Sequence, residues 1–265
     1  KTPQFWLLWI VLCFNVTAGI GVIGVAKTMI NEIFGDLALV TAAFAGTYVM
    51  MISVFNMVGR FFWASTSDFI GRKNTYHCFF IIGTILYCTI PFWAGSGGMT
   101  ALIGFYIATM IIFTMYGGGF ATIPAYLADI FGTMHVGGIH GRLLTAWSTA
   151  GVLGPFAITY LRNSSKESAI GDLASRVDPA AFAEKFGAPI AQLNELVAAK
   201  TVTIAKLMEI APAGTIDPTP TLYNTTMYCM AALLVIAFFA NLMVRPVGEK
   251  HHHVENTKGD AVPAE

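Results

Sequence analysis

Hydrophobic positions in this chain run in long unbroken blocks rather than alternating. Six blocks are long enough to cross a bilayer as helices, which takes about 20 residues. They are 5–26, 37–62, 75–94, 100–127, 143–161 and 222–244. Period-2 alternation is absent, which argues against the strands of a barrel. Glycine and proline recur inside the blocks, at Gly19, Gly21, Gly24, Gly117, Gly118, Gly119, Pro124, Gly151, Gly154 and Pro155. Membrane helices tolerate them, because small residues let backbones approach and neighbours re-satisfy freed carbonyls. The predicted class is an all-α integral membrane protein with six transmembrane helices.

One stretch breaks the pattern. Residues 162–221 hold thirteen charged side chains in sixty residues, close to soluble density. Asp178-Pro179 reads as an N-cap followed by proline at the first helical position, with Gly187 as the stop. Residues 188–210 then show helical spacing at Ile190, Leu193, Val197, Ile204 and Leu207, and Pro212, Gly214, Pro218 and Pro220 end it. The expected plan is transmembrane helices over 1–161, a small helical extramembrane insertion over 162–221, a last span over 222–245 and a polar tail over 246–265. The insertion reads as a structural lid or a binding module.

Composition agrees with the pattern. Hydrophobic residues make up 55% of the 265 positions and charged residues only 11%, against about 25% charged in ordinary globular domains. Fifteen basic residues balance fifteen acidic ones, so nothing here would neutralise a nucleic-acid backbone. The charges also orient the chain. An even number of spans puts both ends on one side, and Lys1, Arg72, Lys73, Arg142, Arg245 and Lys250 fall there. The opposite short loops hold Lys27 beside Glu32 and Asp36. The positive-inside rule then makes both ends cytoplasmic, in a plasma (inner) membrane. The chain opens on Lys1-Thr2-Pro3-Gln4 without an initiator Met or a signal-peptide pattern, which reads as a fragment cut before a membrane helix.

Asp68-x-x-Gly71-Arg72-Lys73, between the second and third blocks, places a carboxylate at a helix end and a basic pair across a tight glycine turn. That is the chemistry of a conformational latch. The loop resembles the signature loop of the major facilitator superfamily, with Ala64 where the signature has glycine. Thr2-Pro3-Gln4-Phe5-Trp6, the run from Asn15 to Gly21, and the run from Ile139 to Pro155 resemble the oxalate/formate antiporter family. The resemblance covers all six blocks and matches the second six-helix half of a twelve-helix fold. It implies an N-terminal six-helix half as partner, a small carboxylate as substrate and alternating access by anion exchange.

Within the block limits Arg60 is the sole charged residue. An intramembrane arginine costs about 2.5–3.5 kcal/mol on insertion scales. It persists where it meets an anion, and its planar fork suits a carboxylate. Ser53, Asn56 and Arg60 fall at i, i+3 and i+7, one polar stripe on a helix. The alternative is an arginine snorkelling to the interface. Asn56 is an amide where related proton-coupled monocarboxylate carriers have a titratable Asp, which favours exchange over proton symport. The resemblance further implies that Trp147 occupies the place of a lysine in the oxalate exchangers, and no Lys or Arg occurs over 143–161. One cation matches one carboxylate, so a monocarboxylate such as formate, lactate or pyruvate is expected over oxalate. Trp147 forms a wall of the site or packs on a neighbouring helix. Ser148 and Thr149 donate to the ligand or back-bond to their own helix.

No cofactor or metal is expected. Cys13, Cys78, Cys88 and Cys229 lack paired spacing, and no phosphate-cradling glycine loop occurs. No nucleophile–base constellation points to an enzyme. Three further readings stay open: a proton-coupled monocarboxylate symporter, a six-helix channel, and a membrane sensor whose insertion binds a ligand.

Overall fold

A computed structural model describes residues 2–247. Lys1, Lys250, the His251–His253 run and the rest of the tail lie outside them. All regular structure among the described residues is helical: α1 (Pro3–Phe34), α2 (Ala42–Ile70), α3 (Arg72–Ser96), α4 (Gly98–Phe131), α5 (Val136–Arg176), α6 (Pro179–Phe186), α7 (Leu193–Ala198), α8 (Ile204–Met208) and α9 (Asn224–Met243). Helices α1 to α4 and the stretch Thr219–Met243 are each long and apolar enough to cross a membrane. Five such helices mark a multi-pass membrane protein. The block 143–161 lies inside α5 but is not among them, being diluted by Trp147, Ser148, Thr149, Gly151, Gly154 and Pro155.

Helix α2 packs chiefly on α4, α1 on α5, and α3 on α9. Small residues make these approaches possible. A Cβ at Gly59 of α2 would lie 2.1 Å from the Thr114 carbonyl oxygen of α4, and one at Gly117 would lie 2.0 Å from that of Asn56. Gly21 and Gly154 meet the same way between α1 and α5, with backbone 3.1 Å from either Cβ position. The glycines at 117–119 are thus explained by packing, since Gly118 meets Trp63 and Gly119 meets Asn15.

Three helices are tied together by a charged cluster. The Arg162 guanidinium grips Glu32 with both prongs, its Nε 3.0 Å from Oε2 and its Nη2 on Oε1. The Tyr223 hydroxyl donates to the same Oε2 at 2.6 Å and accepts from Arg162 Nε at 3.0 Å. Glu32 belongs to the last turn of α1, Arg162 to α5, and Tyr223 immediately precedes α9. A carboxylate thereby fastens the two ends of the 162–221 region to α1.

The insertion departs from expectation in two places. Helix α5 does not stop where hydrophobicity stops; it continues unbroken through Arg162 to Arg176. No proline interrupts 162–176, and Ile170, Leu173 and Ala174 on this extension are buried. Helices α7 and α8 pack on it. The helix expected over 188–210 is instead a short 3-10 turn, α7 and α8, divided where Lys200 takes a positive φ of 57°. The cap signals hold: Asp178 Oδ1 accepts from the Ala180 N–H at 2.7 Å, and Gly187 closes α6 at φ 70°.

Candidate functional site

Because Gly59 is pressed against α4, the next residue, Arg60, turns about 100° away, onto an exposed face of α2. One turn earlier Asn56 accepts from Arg60 Nε through its Oδ1 at 3.3 Å, the i, i+4 pairing of a helix face. The guanidinium stands over the Phe120 ring of α4, 5.9 Å from its centroid, a cation–π distance. Phe120 meets Trp147 of α5 edge-on at 5.5 Å. Tyr116, one turn before Phe120, contacts it at 5.2 Å. Three helices thus contribute to one cationic, aromatic-walled site.

Among the described residues no carboxylate pairs with Arg60. Two of the expected residues, Asn56 and Trp147, stand with it, the latter through Phe120. Ser53 shares the stripe but lies about 10 Å along the axis, and its hydroxyl turns to the Val49 carbonyl at 3.5 Å. Ser148 and Thr149 likewise bond to carbonyls of their own helix, Leu144 and Thr145. Phe120 and Tyr116 were absent from the residues the sequence singled out. The available signal was their i, i+4 spacing, placing both rings on one face of α4 beside three glycines.

The second expected cluster sits at the end of α2. Asp68 is not in a loop, as the motif suggested; it is still helical, and the whole connection to α3 is Gly71, at φ 85°. Only glycine adopts that conformation readily. Arg72 opens α3, pairs with Asp68 one turn back, and reaches within 3.9 Å of Asp129 near the end of α4. Lys73 instead points to the end of α9, where its ammonium donates to the Leu242 and Val244 carbonyls at 3.0 and 2.7 Å. A cation at a helix C-terminus satisfies orphan carbonyls and the helix dipole together. Asn241, fully buried, returns a bond to the Lys73 carbonyl at 3.0 Å and accepts from Tyr126 at 2.8 Å.

On α1, Asn15 is buried facing Gly119, and Thr17 bonds back to the Cys13 carbonyl at 2.7 Å. Lys27 is exposed. Among the described residues no three His, Cys, Asp or Glu side chains gather as a metal site would require.

Comparison with known proteins extends the picture. No family model matches the chain. It is similar to the oxalate:formate antiporter of Oxalobacter formigenes, 32% identical over 154 residues that cover 58% of this chain and 35% of that protein. The chain spans about a third of the length of the curated relative it matches. The resemblance drawn from the Asp68–Lys73 motif and the three flanking runs is therefore met by a distant relative that is itself a transporter by name.

Proposed function

We propose that this chain is one six-helix half of a secondary transporter for small organic carboxylates. In such folds two halves enclose a central site and rock about it. The observation that carries the reading is Arg60. It is a cation on an apolar helix with an amide and an aromatic face as neighbours, and no acidic partner among the described residues. A substrate carboxylate supplies the missing charge, held by two parallel hydrogen bonds from the guanidinium edge that Asn56 does not occupy.

In this reading α5 is the sixth span through 143–161, both ends are cytoplasmic, and 162–221 is an extracytoplasmic insertion. The face holding Arg60 and Trp147 turns toward the other half. Phe61, Val152 and Phe156, at 73%, 71% and 67% exposure on α2 and α5, give those helices apolar surface for lipid or that partner. Asp68, Gly71, Arg72 and Lys73 form the latch, with Arg72 shared between acidic groups of α2 and α4 and free to exchange them. Arg60 alone balances one negative charge, which favours a monocarboxylate. Asn56 cannot titrate, which favours exchange over proton coupling.

Counterflow of labelled formate, lactate and oxalate into liposomes holding the full-length protein tests this. Formate or lactate should exchange faster than oxalate. Arg60→Lys should weaken half-saturation by about tenfold or more, because a point charge cannot replace the fork. Unchanged kinetics in that variant would remove Arg60 from the site, and faster oxalate exchange would overturn the monocarboxylate assignment.

A further inference from the structure

The rings around Arg60 form a continuous series. Phe113, Tyr116 and Phe120 follow one another along α4 at centroid distances of 6.3 and 5.2 Å, and Phe120 passes the contact on to Trp147 at 5.5 Å. What holds this series on its far side is α1, and specifically a residue with no side chain. A Cβ at Gly19 would fall 2.1 Å from Tyr116 Cδ2, 2.6 Å from Cε2 and 2.9 Å from Cγ. Those are atoms of the ring body, not the end of a flexible chain. Tyr116 is nearly buried, at 7% exposure, and flanked by two other rings. A shift of this ring bears on Phe120, which it contacts directly, and through Phe120 on Trp147.

We propose that Gly19 is a positioning residue for the carboxylate site. By leaving room for Tyr116 against α1, it sets where Phe120 and Trp147 stand around the Arg60 guanidinium. This rests on the carboxylate-site reading above. Gly24, on the same helix, has nothing within 4 Å of its Cβ position and serves as a matched control.

The experiment uses the full-length protein with Trp147 as its sole tryptophan. Gly19→Ala should shift Trp147 emission and raise the formate half-saturation concentration at least fivefold, while the maximal exchange rate falls less than twofold. Gly24→Ala should change neither. On a Tyr116→Ala background, Gly19→Ala should add nothing further, because the ring it displaces is gone. Wild-type emission and half-saturation in folded Gly19→Ala protein would overturn the proposal, as would an undiminished effect on the Tyr116→Ala background. Should Gly19→Ala fail to fold, Gly19→Ala/Tyr116→Ala folding normally supports the proposal. Failure of that double variant, with Tyr116→Ala itself folded, refutes it. If no carboxylate exchanges at all, the transport reading fails, and the Trp147 emission still decides the role of Gly19.

Discussion

Two arginines on long helices of this chain each stand near an aromatic ring, and they differ in burial and in what fills the guanidinium fork. Arg162 has an aromatic ring 5.8 Å from its guanidinium carbon, that of Tyr223, and a carboxylate, Glu32, filling its fork. Arg60 has an aromatic ring at 5.9 Å, that of Phe120, and an amide oxygen, Asn56, on its Nε. The molecule thus contains a completed example of the pairing that the Arg60 site holds only in part. Arg162 is structural because its charge is matched within the fold. Arg60 is a functional candidate because its charge is not.

The strongest way to break that contrast is Glu32→Gln. It strips the counter-charge from a pair whose side chains are only 21% and 23% exposed, and should cost about 2–4 kcal/mol of stability, read as a lower unfolding temperature in detergent. No change would mean that Arg162 is as unmatched as Arg60. The opposite sign is expected for Arg60→Leu. Removing an unpaired intramembrane cation should leave stability unchanged or raise it, by up to about 3 kcal/mol on insertion scales, while counterflow is lost. A destabilised Arg60→Leu protein would assign this arginine a structural role instead.

Tyr223→Phe sharpens the comparison by isolating the hydroxyl that Arg162 and Glu32 share. Its loss should cost about 1–2 kcal/mol, the range for a hydrogen bond to a charged group; a larger loss than that of Glu32→Gln would invert their ranking. The smallest effect belongs to Lys185 and Glu209, a pair with its charges matched but little burial. The Lys185 ammonium holds the Glu209 carboxyl below the usual carboxylate range. A depressed folded value means that this pair stabilises above the unfolded carboxyl value of about 4.3 and loses its contribution as pH falls through the folded one. Glu209→Gln should therefore flatten the acid limb of stability against pH slightly. An identical acid limb in the variant would show that the pair contributes nothing.

Much of the helical plan was readable because burial in lipid demands continuous apolar runs, and each of the six runs lies largely in a helix. Arg60 was readable for the same reason, as a lone charge against that background. Phe120 and Tyr116 were not, because an aromatic ring in an apolar run looks alike whether it faces lipid, core or ligand. The length of α5 was misjudged because a change from apolar to charged residues marks a change of solvent, not the end of a helix. Lys200 hid the break between α7 and α8, since its left-handed backbone carries no glycine or asparagine to announce it.

The corner at Gly71 has a mechanical consequence. A single residue joins a helix of 29 residues to one of 25, so the joint has no slack and acts as a fulcrum. Arg60 lies eleven residues from it, a lever arm of about 16 Å at the helical rise. A swing of α2 by ten degrees about Gly71 would carry the Arg60 backbone about 3 Å, roughly the length of one hydrogen bond. Small angular play at one glycine would therefore be geared into a displacement of Arg60 large enough to make or break a hydrogen bond.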